Sequence, residues 1–474
     1  MQITNYTQGK QRFSAESNIH YRYSSADNLI NNLDDLTKMI LHHQNQQRPR
    51  LKTLQEYYKG NNENILVDKR RREDHLADNR ATHNFAKYVS QFIQGYMVGV
   101  PIKTSYPNDG VDEHLRDINR YNDADEHNSD LVLDQSIYGR AYELIYRNQQ
   151  DEVKFTALSV METFVIYDDT VEFNPIAAVR YVSKHFEEET TVHLYTNREE
   201  RIYSFDSSRN LKLKEELHRH YDGIPVIEYE NNKYRQGDFE DVLTLIDLYD
   251  SAQSDTANYM QDLNDAMLKI TGYLDLDTEE AKKQKDANII LLQPEQSTEG
   301  KFSDVDAEYI YKQYDVGGTE AYKDRVFNNI LLFTSIPNLL DDTSTNQQSG
   351  EAIKMKLFAL SQKRATKERL FKKSLRDRYR IIDNILRVAS EGSFDVNEIS
   401  ITFTENLPSM IAKDIEWFSK MGGELSNQTM LENLPFIENA QEEIELIEEE
   451  NKLNQELYGF PAHELEEDDD DGEQ

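Results

Sequence analysis

The sequence predicts a mainly α-helical protein with an α+β segment in its first half. Apolar residues recur at helical spacing in long stretches such as 29–45, 238–270 and 351–389. Between residues 141 and 229, short runs rich in Val, Tyr, Phe and Thr alternate with turn-forming residues, a pattern typical of strands. Because these runs follow one another without intervening helices, we expect α+β organisation and not the βαβ alternation of doubly wound folds.

Residues at the predicted helix ends support this placement. Gly60 suits the C-terminal end of a helix over 49–59, and Asn84 suits the N-cap of the helix that starts at Phe85. Asp238 is expected to cap a long helix that runs to about residue 270. The other predicted helices cover 29–45, 125–140, 319–334, 351–389, 409–421 and 427–455, and the predicted strands cover 141–146, 154–158, 164–167, 177–181, 191–195, 201–205, 222–229, 288–292, 309–314 and 399–403.

The composition limits the function classes. The 474-residue chain carries 53 basic and 88 acidic residues, a net charge of −35, so it lacks the basic footprint of most nucleic-acid binders. It has no cysteine, which excludes disulfides and thiolate metal sites. Hydrophobic residues make up only 38%, which either an elongated subunit completed by neighbouring copies or partial disorder explains. Residues 1–28 are polar and are expected to be loosely ordered until assembly.

Two predicted helices carry opposite charge. The first has eight acids and no base between residues 238 and 265, and the second has eleven bases and three acids between 351 and 380. The acidic helix is expected to present a stripe formed by Glu240, Asp247, Asp255, Asp262 and Asp265. The candidate residues of the basic helix are Lys354, Lys356, Lys363, Arg364 and Lys367. These bases could contact DNA phosphates, face solvent, or pack against the acidic helix of a neighbouring subunit.

No pattern indicates catalysis. The chain has neither the spacing of a P-loop nor a G-x-S-x-G motif. Its histidines lack metal-ligand spacing, and Asp341 with Asp342 would supply only two adjacent carboxylates to a Mg²⁺ ion, which disfavours such a site but leaves it open. We therefore expect no catalytic residue, no metal and no cofactor.

Six short segments occur in an order that resembles the pattern of one protein family. They are YYKG at 57–60, NFAK at 84–87, GYMVGVP at 95–101, YGRAY at 138–142, GIPV at 223–226 and QGDFE at 236–240. No single segment is specific, but their order and spacing resemble those of the portal (head–tail connector) proteins of tailed double-stranded DNA phages. The resemblance covers roughly residues 50–400.

The resemblance implies a portal fold that is mainly α with an α+β wing domain, in a closed, typically dodecameric ring. The implied parts are an N-terminal segment 1–45, wing 46–237, stem helix 238–271, clip 272–316, stem helix 317–334, tunnel loop 335–350, long wing helix and return strand 351–404, crown helices 405–455 and an acidic tail 456–474, expected to be disordered. The tunnel-loop residues expected to face DNA are Asn338, Asp341, Asp342, Thr343, Ser344, Thr345, Asn346, Gln347 and Gln348.

As a function, the resemblance implies a non-enzymatic channel at one capsid vertex of the virion, assembled in the host cytoplasm. Double-stranded DNA would pass through it in packaging and ejection. Its other expected partners are the terminase, a head–tail adaptor, and capsid and scaffolding proteins, with no membrane. Two alternatives come from the charge pattern: an acidic interaction protein that imitates DNA, and a metal-dependent phosphoryl-transfer enzyme, which the missing P-loop disfavours.

Overall fold

The computed structural model describes most of the first 404 residues and a few beyond. The described residues are 12–66, 77–183, 189–205, 210–220, 222–262, 267–271, 279, 282–283, 300, 306–310, 315–338, 350–404, 406, 431, 443–444 and 446–452. Predicted strand 288–292, predicted helix 409–421 and the acidic tail 456–474 lie outside these residues, as does most of 427–455.

The helices follow the predicted order. Those with described bounds are α1 (Ala26–Asn31), α2 (Leu33–His42), α3 (Arg48–Lys59), α4 (Glu63–Leu66), α5 (Phe85–Val98), α6 (Asp109–Arg120), α7 (Ala124–Tyr138), α8 (Leu243–Asp262), α9 (Val316–Thr334) and α10 (Gly350–Ala389). A π-helical turn, His43–Gln47, joins α2 to α3, and a 3₁₀ turn, Glu240–Val242, precedes α8.

The two predicted helix ends in the first hundred residues are confirmed. Gly60 ends α3 in the left-handed region with φ of +85°, where a residue without a Cβ carries no steric penalty. The Asn84 side chain accepts a hydrogen bond of 3.1 Å from the backbone N–H of Lys87 and so caps α5.

The strands within the described residues form two main sheets and two ribbons. They are β1 (Tyr21–Arg22), β2 (Lys103–Ser105), β3 (Arg140–Arg147), β4 (Val153–Leu158), β5 (Thr163–Tyr167), β6 (Pro175–Ser183), β7 (Thr190–Tyr195), β8 (Glu199–Phe205), β9 (Leu211–His218), β10 (Val226–Glu230), β11 (Met267–Thr271), β12 (Asp306–Ile310) and β13 (Ser400–Thr402). The larger sheet has the order β1-β5-β6-β7-β8-β9, antiparallel except for the parallel β1–β5 pair. The second sheet has the order β10-β3-β4, and the ribbons are β11–β12 and β2–β13.

Two expectations are wrong. The helix predicted from 238 to about 270 begins as α8 at Leu243 and ends at Asp262, and residues 267–271 form β11 in antiparallel pairing with β12. Residues 12–28 make defined contacts where loose order was expected: Asn18 donates to the Tyr234 carbonyl over 2.7 Å, and β1 pairs with β5. These contacts satisfy backbone groups that a loose segment would leave to water.

In the part of the chain that the structure describes, buried apolar side chains form three clusters. One lies between the larger sheet and α1–α2. A second joins the C-terminal half of α10 to α6, α7 and the second sheet. The third gathers α3, α5 and α7 with the start of α8, the end of α9 and the N-terminal half of α10. Three of the longest helices, α8, α9 and α10, therefore meet in a single core region.

Candidate functional site at the junction of three long helices

Two glycine segments that are far apart in the sequence cross at the start of α8. Gly139 has φ of +84°, and a Cβ there would lie 2.1 Å from the Arg235 carbonyl oxygen. A Cβ at Gly237 would lie 2.5 Å from the Ile137 carbonyl oxygen. No larger residue fits either position without moving backbone. The crossing fixes where the next residue, Asp238, points.

Asp238 points into the core and does not cap α8. Its carboxylate accepts a hydrogen bond from Lys367 Nζ over 2.7 Å and forms an ion pair with Lys363 Nζ at 3.0 Å, both from α10. Burial by itself would raise the pKa of Asp238, but the two lysines outweigh it and hold that pKa well below its usual range. Burial lowers the pKa of Lys367, and Asp238 opposes that effect. The group is a buried anion between two cations.

Lys363 also reaches the end of α9. Its Nζ donates to the backbone carbonyl of Thr334, the last residue of that helix, over 3.2 Å. A cation at a helix C-terminus satisfies an unpaired carbonyl and interacts favourably with the helix dipole. One lysine of α10 therefore joins the end of α9 to the residue that leads into α8.

A second buried pair ties α3 to the same place. The Arg50 guanidinium binds the Glu240 carboxylate through two nitrogens, at 2.8 Å and 2.5 Å, and also donates to the Arg235 carbonyl over 3.1 Å. Such two-point contacts fix orientation as well as distance. They hold the 3₁₀ turn before α8 against the N-terminal helices.

Two further acids of α8 bind the N-terminal segments. Asp247 accepts a hydrogen bond from Arg12 over 2.9 Å and also contacts Tyr57. Asp250 is fully buried and accepts the backbone N–H of His83 and the side-chain amide of Asn62, each over 2.9 Å. The polar face of α8 is therefore a binding surface for α3 and for the segments on either side of residues 67–76.

The predicted acidic stripe is accordingly wrong for its first two members. Glu240 and Asp247 are engaged by Arg50 and Arg12 inside the chain, since a carboxylate at these positions faces other elements of the same subunit. Asp255 is exposed, as the stripe requires. The Asp262 side chain and Asp265 lie outside the described residues.

The candidate basic residues of α10 also fall into two groups, those that contact other parts of the same chain and those that do not. Lys363 and Lys367 bind Asp238, and Arg364 is buried over the Tyr96 ring with its guanidinium carbon 5.8 Å from the ring centre. The two lysines therefore contact an acid that precedes α8, and the contact is within one chain. Lys356 is exposed beside Leu332 and Ile336, and the Lys354 side chain lies outside the described residues.

The predicted tunnel loop is described only at its edges. Asn338 donates to the Asn328 side chain over 3.2 Å, and Ser335 ends α9 in the left-handed region. The remaining loop candidates, Asp341, Asp342, Thr343, Ser344, Thr345, Asn346, Gln347 and Gln348, lie outside the described residues. The segment 339–349 is flanked by α9 and α10, both of which Lys363 holds at the junction.

No sequence pattern was used to place Arg50, Arg12 and His83 at this junction. A signal existed for Arg50, because it lies four residues before Leu54 and seven before Tyr57, on the buried face of α3. Arg12 and His83 lie in irregular segments, where no periodicity indicates a buried face.

Apolar packing closes the junction. Phe239, Val242 and Ile246 are almost completely buried and belong to the same cluster as Ile330 of α9 and Leu360 of α10. Charges excluded from water interact more strongly than exposed ones, and an unpaired charge there is correspondingly costly. The arrangement holds three helices of the same chain in place. Among the described residues at the junction, no nucleophile lies next to a general base.

Two clusters in the described part of the chain have metal-like spacing. They are His20 with Glu228 and Glu230, and Glu199 with Glu216 and His218. In each cluster an arginine already forms an ion pair with one carboxylate: Arg235 lies 2.6 Å from Glu228, and Arg201 lies 2.7 Å from Glu199. We assign a metal to neither cluster. Among the described helices, none has both the length and the apolar content to cross a membrane.

Comparison with known proteins extends over most of the chain. The family model described as phage portal protein, SPP1 Gp6-like, matches residues 37–457. The portal protein of Bacillus phage SPP1 is 24% identical over 415 residues, covering 82% of this chain and 79% of that protein. The portal protein of Clostridium phage phiCD119 is 24% identical over 426 residues, covering 84% of this chain and 91% of that protein.

Two solved structures align with most of this chain at low TM-scores. One is the neck of a native GTA particle computed with C12 symmetry, with a TM-score of 0.42 and 12% identity over 73% of this chain and 88% of that one. The other is the neck of an empty GTA particle computed with C6 symmetry, with a TM-score of 0.45 and 11% identity over 78% of this chain and 96% of that one.

Proposed function

Because the chain belongs to the SPP1 Gp6-like family of phage portal proteins, we propose that copies of it form a closed ring, of twelve subunits as the family typically has, around a pore for double-stranded DNA. The family match over residues 37–457 is the observation that carries this proposal. The two portal-protein relatives support it, since each is matched over most of its own length. The alternative of an acidic DNA mimic has no support in these relatives.

The ring occupies one capsid vertex of the virion and is assembled in the host cytoplasm with capsid and scaffolding proteins. The terminase docks on it during packaging, and a head–tail adaptor replaces the terminase afterwards. DNA leaves through the same pore at ejection. The role is structural, and the subunit itself catalyses no reaction.

We assign the described elements to the parts of a portal subunit as part of this proposal. In this proposal α8 and α9 are the stem helices, and they pack side by side, with Lys323 of α9 donating to Gln253 of α8 over 3.1 Å. The ribbon β11–β12 lies between them in chain order and belongs to the clip. Residues 335–350 form the tunnel loop, α10 is the long wing helix, residues 46–237 form the wing and 405–455 the crown.

The junction at Asp238 then has a mechanical role. DNA passing through the pore pushes on the tunnel loop, and the loop is attached to α9 and α10. Lys363 binds both the end of α9 and the Asp238 carboxylate, so a force on the loop passes into the buried charges at the start of α8. The wing and stem thereby move as one body and keep the pore open.

The acidic stripe contains fewer residues than the sequence indicated. We propose that Asp255, Asp262 and Asp265 face the DNA, while Glu240 and Asp247 hold the stem to the wing. Acidic walls repel phosphates and let the duplex slide, whereas basic walls would retain it through counterion release.

The proposal is tested by electron microscopy of the purified protein together with a packaging assay. We expect top views of a ring with a central hole, and DNA-filled capsids only when the protein is present. Assemblies without a hole, or a protein that stays monomeric under capsid-building conditions, would refute it. A Mg²⁺-dependent ATPase or nuclease activity of the purified subunit would refute the structural role.

A further inference from the structure

The outer face of α10 carries a row of cations. Exposed bases recur at intervals of four, three, four and seven residues, which places them on one side of the helix. These residues, here called the basic stripe, are Arg369, Lys373, Arg376, Arg380 and Arg387. They form an outward basic surface on a chain with a net charge of −35.

The basic stripe is separate from the buried face of α10. Phe371, Leu375 and Ile382 on the opposite side of the helix pack into the core with α6 and α7. Within the described residues, Lys373 and Arg376 form no ion pair within 4.0 Å, and Arg380 pairs only with Asp377 on its own helix. The stripe is therefore not consumed by intramolecular pairing, in contrast to Lys363 and Lys367.

A complementary surface lies on α6 and α7. Exposed acids recur along the sides of these helices that face away from the core, whereas Leu115, Ile118, Leu131 and Val132 face inwards. These acids, here called the acidic face, are Asp109, Glu113, Asp117, Asp123, Glu126 and Asp130. Among the described residues, Arg120 makes the only ion pair with them, an exposed contact of 3.3 Å to Asp117.

We propose that the acidic face of one copy docks against the basic stripe of the next copy in the ring. This inference rests on the proposed function, because it names the surfaces through which the proposed ring closes. A ring needs two different complementary surfaces on each subunit, and each copy carries both a cationic row and an anionic one, whose ion pairs among the described residues stay within their own helices. Complementary charges fix orientation and exclude like-charged approaches.

A second copy fits the basic stripe better than DNA does. DNA would satisfy the stripe but would leave the acidic face of every copy without a partner. The overall charge of −35 also repels phosphates from the subunit as a whole. Contact between copies neutralises both surfaces at once.

The test uses two charge-reversal variants. One is Lys373→Glu/Arg376→Glu in the basic stripe, and the other is Glu113→Lys/Glu126→Lys in the acidic face. Mass photometry and electron microscopy follow ring formation of the full chain at near-physiological salt. Each variant alone places like charges across the interface, so we expect ring assembly to need about 100-fold more protein, since close charge pairs couple strongly.

Mixing the two variants is the decisive experiment. The reversed stripe of one variant then meets the reversed face of the other, and the two native surfaces meet at the next contact. We expect rings of alternating copies to return at the wild-type concentration. That rescue also shows that both variants are folded, and circular dichroism checks it independently.

Each other outcome overturns the inference. Wild-type-like rings from each variant alone would leave the proposed function intact and remove this interface. Loss of rings without rescue on mixing would show that the two surfaces do not meet. The matched control Lys52→Glu/Lys233→Glu makes the same charge change at exposed positions outside both surfaces, and its failure to form rings would assign the effect to net charge.

Two further results complete the test. If the stripe variant forms rings but loses retention of double-stranded DNA on a filter, the stripe contacts DNA and the inference is wrong. If the wild-type chain forms no ring, the proposed function fails, and this inference fails with it.

Discussion

The substitution Asp238→Asn tests the junction most directly. The Asp238 side chain is 1% exposed and the Lys367 side chain 2% exposed, whereas Lys363 is 25% exposed. The amide removes the negative charge but keeps the size of the side chain. Two buried or half-buried lysines then remain with no anion between them.

The structure gives the magnitude. Removing one member of a buried ion pair costs about 3–5 kcal/mol, because the other charge stays buried and unpaired. Lys363 can still turn towards the Thr334 carbonyl and solvent, so we expect the lower value, about 3 kcal/mol. At about 1.4 kcal/mol per factor of ten, this is a roughly 100-fold change in an opening equilibrium.

Hydrogen exchange followed by mass spectrometry measures this local opening. In Asp238→Asn, amides at the start of α8 and around residue 365 of α10 should exchange roughly 100-fold faster than in the wild type. Asp35→Asn, which breaks the exposed 2.7 Å pair with Lys38, serves as the control and should change exchange little. Exchange in α8 and α10 that stays within about twofold of the wild type would refute the buried-pair argument.

The pH dependence has a defined sign. The pKa of Asp238 is lowered in the folded chain, so its stabilising contribution is complete above the unfolded value of about 4 and is lost as the pH falls below it. The difference between wild type and Asp238→Asn should therefore be full at pH 7 and shrink below about pH 4. A difference that grows on acidification would contradict this assignment.

Three further predictions concern other parts of the fold. Gly139→Ala should abolish soluble expression, because its Cβ would lie 2.1 Å from a backbone oxygen, whereas Gly95→Ala, with nothing within 4 Å, should express normally; equal yields would contradict this. Glu143→Gln should flatten the acid side of the thermal-stability profile, since Arg378 and His127 together outweigh burial and lower the pKa of Glu143 to about 2, so its contribution is present above about 4.3 and lost towards pH 2. Deleting 338–347 should leave ring formation intact and impair DNA packaging, and normal packaging would remove the tunnel-loop assignment.

Elements with strong local patterns could be predicted from the sequence. The helix predicted over 351–389 appears as α10, Gly350–Ala389, because its apolar positions keep helical spacing after a loop of turn formers. The helix predicted from Thr319 to Thr334 appears as α9, Val316–Thr334. In both, local periodicity and tertiary packing favour the same structure.

Elements with weak apolar patterns were missed. Seven of the eight residues of β9 are exposed, so no alternation between buried and exposed positions marks it. In α6, only Val111, Leu115 and Ile118 are apolar, and their helical spacing was a short signal that was overlooked. The end of α8 was placed too late because Met267 continues the helical spacing, although the residues from there pair with β12.

The site could be predicted only as a set of charges. The sequence indicated that an acidic and a basic helix attract each other, and Asp238 does bind Lys363 and Lys367. It could not indicate that the contact is within one chain, since Lys367 lies 129 positions from Asp238 and only the crossing at Gly139 and Gly237 brings them together.

The π-helical turn at His43–Gln47 sets the rotational phase of α3. A π-turn is equivalent to one residue inserted into an α-helix, and here it turns both His43 and Gln47 inwards. Losing a single residue from this turn would rotate everything after it by about 100° about the helix axis. Arg50 would swing away from Glu240, so a change of one codon in a polar stretch would break the ion pair between α3 and the turn that precedes α8.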